Sequence, residues 1–150
     1  MYAMRESKRT KTASGMMQID AIISKLKKAK ETLASTSFQK DIIQNNSAVI
    51  ENLNRDQLRR GITSEGGVFP DYKSKNKNGP IKWRDTGKYY SSLKTGFFDS
   101  GFFVGSTDNK DKFIEGRFGP VKGLNNRSID LLRGLIKTQA IQKVKMIVNV

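Results

Sequence analysis

The sequence predicts an α+β fold: N-terminal helices and a C-terminal helix packed on a small antiparallel β-sheet with a long aromatic hairpin. Three observations predict it. Aliphatic residues recur at helical spacing in residues 17–34 and again in residues 129–147. Between them, aromatic residues cluster on both sides of Asp99-Ser100-Gly101, a turn tripeptide. The 150 residues suffice for one domain with a real core, so residues 1–15 are assigned to a basic arm and residues 16–150 to a single α+β domain.

The arm holds Arg5, Lys8, Arg9 and Lys11 among Ser, Thr and Gly, with no apolar period. It carries no apolar run behind its basic residues, so it is not read as a signal peptide. Helical period then starts: Ile19, Ile22, Ile23, Leu26 and Leu33 share a face, with Lys25, Lys27, Lys28 and Lys30 elsewhere. Ser35, Thr36 or Ser37 can cap a second helix running from Phe38 to about Leu53. Asn45-Asn46-Ser47 in its middle is a weak helix former, where a break can fall.

From Asn54 the pattern predicts strands and turns, with a Gly-rich reversal at Ser64-Glu65-Gly66-Gly67. Residues 71–82 are polar and lysine-rich and read as an exposed loop. Residues 88–107 read as a hairpin, with Tyr89, Leu93 and Phe97 on one face of the first arm and Tyr90 and Phe98 on the other. Gly101 is expected at a left-handed position of a three-residue turn. On the second arm Phe102 and Val104 lie opposite Phe103. Apolar residues on both faces imply that one face meets helices and the other meets another sheet or another subunit. Lys110 to Phe118 reads as a short helix, with Thr107 or Asp108 as its cap and Gly119-Pro120 as its stop. The last helix starts after Asn125-Asn126, with Asn126 or Ser128 as cap and Ile129, Leu132, Ile136, Ala140, Val144 and Ile147 as its stripe. The alternating VKMIVNV end is expected to be able to leave the helix as a strand.

Composition narrows the chemistry. Cysteine and histidine are absent, which excludes disulfides, thiol nucleophiles, Cys/His zinc sites and His-dependent triads. Twenty-eight Lys and Arg against fourteen acids give a net charge of +14, a field that favours anionic partners. No stretch approaches the roughly 20 apolar residues that cross a bilayer, so no membrane partner is expected.

Motif fragments have plain explanations. Asp108 and Asp111 lack the spacing, glycine and final Glu of a calcium loop. Thr86-Gly87-Lys88 lacks the upstream glycine of a phosphate loop. Asp85-Thr86-Gly87 occurs once, where an aspartic-protease site needs a pair. Glu51, Asp56, Glu65 and Glu115 are scattered, so a metal-dependent nuclease is the weakest reading, and no catalytic residue, metal or cofactor is assigned. Lys73, Lys75, Lys77, Lys82 and Arg84 surround Trp83, a combination suited to phosphate contact with base stacking. With Arg5, Arg9 and Lys11 they are the candidate phosphate contacts.

The order LNRDQLRRGITSEGG, a lysine-rich loop, WRDTGKYYSSL, the aromatic hairpin, STDNKDKFIEGRFG and GLNNRS resembles the neck and tail-completion proteins of tailed bacteriophages, the virion-morphogenesis type, in the form associated with Bacteroides-type, crAss-like phages. The likeness covers roughly residues 50–135 and rests on Gln57 with Gly61, Asp85-Thr86-Gly87, Thr107-Asp108 with Lys110, and Phe118-Gly119 with Gly123-Leu124. It implies a non-enzymatic virion subunit, made in the host cytoplasm. Copies would form a homo-oligomeric ring with portal, neck or tail proteins around the DNA channel. Gly66, Trp83, Tyr90, Phe98 and Phe103 are then candidate subunit contacts. The alternative is a small basic nucleic-acid-binding protein.

Overall fold

A computed structural model describes residues 3–71, 87–98 and 101–148, with side chains from residue 19 onward. Among these residues the chain is α+β: six helices surround a two-stranded antiparallel sheet. The order is α1 (Ala3–Ala34), α2 (Thr36–Asn45), α3 (Ser47–Arg59), α4 (Lys88–Ser92), β1 (Leu93–Phe98), β2 (Gly101–Ser106), α5 (Asp111–Phe118) and α6 (Asn126–Val148).

Helix α1 starts at Ala3, so the stretch assigned to a basic arm is helical. Its Ala, Arg, Lys and Met are strong helix formers, and a helix can form without an apolar period. Ser35 ends α1 and starts α2: its Oγ donates to the Thr32 carbonyl at 2.7 Å and accepts from the Phe38 N–H at 3.3 Å. The anticipated break after Asn45 is present. Asn46 there is 2% exposed, and its amide exchanges hydrogen bonds with Gln139 of α6 at 2.8 and 3.2 Å. A polar residue thus joins the α2–α3 corner to α6.

The strand expected after Asn54 is instead the second half of α3. Its buried face is Ile50, Asn54, Gln57 and Leu58, which is helical spacing with two amides in it. Those amides hold the loop before α6. Asn54 Nδ2 donates to the carbonyls of Val121 (3.2 Å) and Gly123 (2.7 Å). Gln57 Nε2 donates to Gly123 at 2.9 Å, and its Oε1 accepts from the Asn125 N–H at 2.7 Å. The predicted reversal follows, closed by the Ile62–Val68 bridge and pinned where the Ser64 N–H donates to the Pro120 carbonyl at 3.0 Å.

Tyr89 and Tyr90 are not strand residues. They lie in α4, whose start is set by Gly87 at φ +67. The hairpin is therefore shorter than expected, with β1 beginning at Leu93. Phe98 pairs with Gly101, so Gly101 is the first residue of β2, and it is not among the positive-φ glycines. Asp99 and Ser100 at the tip lie outside the described residues. Helix α3 grips the β1 edge: Glu51 Oε1 accepts from the Thr95 N–H at 3.1 Å, and Arg55 donates to the carbonyls of Tyr90 (2.8 Å) and Leu93 (3.3 Å).

Helix α5 ends at Gly119 with φ +80, as anticipated. Its start differs: neither Thr107 nor Asp108 is the cap residue, and Asp108 Oδ1 instead accepts from the Lys110 N–H at 2.8 Å. Helix α6 is capped by Asn125, one residue earlier than anticipated, whose Oδ1 accepts from the Ser128 N–H at 2.9 Å. Its end stays helical to Val148, so the terminal strand is not formed there. The core joins Ile50, Leu58, Phe69, Tyr89, Leu93, Val104, Ile114, Val121 and Leu132, and so ties every element from α3 to α6 into one unit.

Candidate subunit and nucleic-acid interface

The β1–β2 register sorts the hairpin into two faces, because directly paired residues project to the same side. Leu93, Thr95, Phe97, Phe102 and Val104 make the inner face, with Leu93 and Val104 buried. The outer face carries Lys94, Gly96, Phe98, Gly101, Phe103 and Gly105. Each outer phenylalanine is paired with a glycine, Phe98 with Gly101 and Phe103 with Gly96. A Cβ on Gly96 would fall 2.5 Å from Phe103 Cε1, and one on Gly101 would fall 2.8 Å from Phe98 Cζ. Both rings therefore lie flat across cross-strand glycines, where only a missing side chain leaves room. They remain 54% and 55% exposed, a smooth apolar face supported from below by α3.

The candidate contact residues thus separate. Phe98 and Phe103 share one exposed face. Gly66, at φ +87, forms the exposed tip of the reversal. Tyr90 is half-buried against the chain's own core, its carbonyl held by Arg55, so it is not on the second face. Trp83, Lys73, Lys75, Lys77, Lys82 and Arg84 lie outside the described residues. Arg5, Arg9 and Lys11 are on α1, three positions of its first helical half.

Charge is concentrated on two packed helices. Together α1 and α6 hold thirteen Lys and Arg against four acids. On α5, Phe113 is 65% exposed, and the Arg117 guanidinium lies 5.9 Å from its ring centre and 5.2 Å from that of Phe118. Such an exposed cation–aromatic pair was not singled out from the sequence, although the i, i+4 spacing of Phe113 and Arg117 was there to read.

Three of the four carboxylates weighed for metal chemistry are engaged elsewhere. Glu51 pairs with Arg55 (3.1 Å), Asp56 with Arg59 (2.7 Å) and Glu115 with Lys122 (3.1 Å). Lys122 also meets Asp111 at 2.5 Å, and the Tyr89 hydroxyl donates to Asp111 at 2.9 Å. Burial, and then that bond to Asp111, push the Tyr89 hydroxyl pKa well above its ordinary 10.0. For Lys122, burial favours the neutral amine, but bonds to Asp111 and Glu115 outweigh it and raise the pKa above its ordinary 10.5. This cluster anchors α5 to the 119–125 loop; its groups are matched to each other.

A scan against protein-family models, a search of curated proteins and a search of solved structures each found no match for this chain. Among the described residues no helix is long and apolar enough to cross a membrane.

Proposed function

We propose that the chain is a structural virion protein of a tailed bacteriophage: a head–tail connector, neck or tail-completion ring subunit that joins portal to tail around the DNA channel and has no enzymatic activity. The observation that carries this reading is the outer hairpin face, where Phe98 and Phe103 lie exposed on cross-strand glycines. Two large exposed rings on a rigid two-stranded support are costly in water and gain on contact with a neighbour. The cations of α1 and α6 supply the second requirement, a surface that tolerates passing DNA through salt-screened phosphate contacts. Electron microscopy of the purified protein tests the reading. Closed rings with a channel wide enough for duplex DNA support it; a particle that is monomeric alone and with portal or tail components sinks it.

The same concentration of cations favours a second reading, a small basic protein that binds nucleic acid directly. It predicts measurable affinity for duplex DNA that falls about 10³-fold or more between 50 and 200 mM salt if six or more phosphates are contacted. Substituting Lys73, Lys75, Lys77 and Lys82 by Gln together would then lower both affinity and salt slope. Undetectable binding at low salt excludes it.

A further inference from the structure

The two edges of the hairpin are finished differently. The Thr107 N–H donates to the Ser92 carbonyl at 3.0 Å, which continues the β1–β2 ladder by one bonded pair. Bonded pairs alternate along an antiparallel ladder, so Leu93–Ser106, Thr95–Val104 and Phe97–Phe102 are the pairs whose main-chain groups point away from each other. On the β1 edge α3 engages them: Glu51 accepts from the Thr95 N–H, and Arg55 donates to the Leu93 carbonyl. On the β2 edge, among the described residues, the N–H and C=O groups of Phe102, Val104 and Ser106 have no hydrogen-bond partner. Strand β2 also lacks what usually guards such an edge. From Gly101 to Ser106 it has no charge and no proline, and its pairing with β1 has no bulge. Five of its six residues are at least partly exposed, so the edge is within reach of another chain.

We propose that β2 pairs antiparallel with β2 of a second copy, joining two hairpins into one four-stranded sheet. The strand itself selects this occupant. Centring the pairing on Val104 uses every open group: Val104 meets Val104, and Phe102 meets Ser106 of the second copy, for about six new backbone bonds. The same register sets Phe103 of each copy against Gly105 of the other, repeating the Phe98–Gly101 and Phe103–Gly96 pairs inside the hairpin. Net charge of +14 does not oppose the approach there, because β2 brings no charge to the edge. Lys94 lies on β1, so the two copies of it stand three strand spacings, about 14 Å, apart, beyond the screening length of about 8 Å at physiological salt. The inference rests on the reading of the chain as a self-assembling subunit and deepens it, naming the strand edge through which two copies join. Directly paired residues project to the same side, so the outer phenylalanines of both copies share one face of the combined sheet.

Sedimentation and NMR amide exchange of the full chain, over a range of protein concentration, test it together. The Phe102 and Val104 amides should exchange at least about tenfold more slowly as the chain passes from monomer to oligomer. The Phe103 and Gly105 amides, already in the β1 ladder, serve as the internal reference. Gly105→Lys gives the second arm. A Cβ there would lie 3.5 Å from Phe103 Cε2, an ordinary contact, and Gly105 is not among the positive-φ glycines, so the variant should keep the parent's circular dichroism. It sets two like charges diagonally across the pairing and should abolish the concentration-dependent protection. Protection that grows with concentration in the parent and is absent from the variant supports the edge pairing. Association that leaves the Phe102 and Val104 amides unprotected overturns it and leaves the outer-face contact standing. Protection that persists unchanged in Gly105→Lys also overturns it. A parent that is monomeric at every concentration overturns the pairing and the subunit reading together.

Discussion

Gln57 offers the sharpest quantitative check on how the fold is held. It is 1% exposed, and its two polar atoms join α3 to the loop that launches α6. Gln57→Leu keeps the volume and removes both bonds. The Gly123 carbonyl still receives Asn54 Nδ2 at 2.7 Å, so it is only partly deprived. The Asn125 N–H loses its partner inside the protein. A buried donor left unsatisfied costs about 1–3 kcal/mol and the second bond about 1 more, so the loss is roughly 2–4 kcal/mol. At about 2–4 °C per kcal/mol for a chain of this size, Tm should fall by roughly 4–16 °C, with the urea m-value unchanged. Gln57→Glu provides the control. Its carboxylate can still accept from Asn125, but it faces the Gly123 carbonyl without a proton to donate. Its folded pKa should therefore be raised above the unfolded value, so its stability should be greatest in acid and fall as pH rises through the folded pKa. A Gln57→Leu protein melting within about 2 °C of the parent would refute the reasoning.

Other changes have equally direct readouts. Asn125→Ala removes the α6 cap and should cost about 1 kcal/mol, up to about 2, measured by urea unfolding followed at 222 nm. Gly119→Ala meets open space but must hold φ +80 with ψ −162, a region essentially reserved for glycine, so about 1–3 kcal/mol should be lost through the backbone alone, visible as a lower urea midpoint. Tyr89 and Lys122 both have raised folded pKa values, so their stabilisation is complete below their ordinary values of 10.0 and 10.5 and is lost as pH rises through the folded ones. Unfolding free energy should accordingly drop above about pH 10, and Asp111→Asn, which removes the shared acid, should flatten that drop.

Much of the fold was legible in residues that obey one rule at a time. Asn45-Asn46 broke the second helix as weak helix formers should, and Gly119-Pro120 stopped α5. Where two rules competed, the local one misled. The α3 extension was missed because Asn54 and Gln57 occupy buried positions of the stripe, and amides hide a period that hydrophobicity alone reveals. Tyr89-Tyr90 have strand propensity, yet Gly87 turns them into a helix that points Tyr89 at Asp111. The N-terminal segment was assigned to an arm for want of an apolar period, which helix propensity alone does not require. Of the candidate site, Phe98 and Phe103 could be named from the sequence, but their pairing with glycines needed the register. The α1 stripe could be seen, but not the exposure of Ile19, Ile22, Ile23 and Leu26, which only the packing shows.

The central claim is that a second copy packs on the outer face of the hairpin. Sedimentation velocity of the parent beside Phe98→Ser with Phe103→Ser tests it most directly, because both side chains are exposed and paired with glycines. The parent should sediment as a closed multi-subunit species and the double variant as a monomer with the parent's circular dichroism. A parent that is monomeric throughout, or a variant that assembles as well as the parent, would contradict the account.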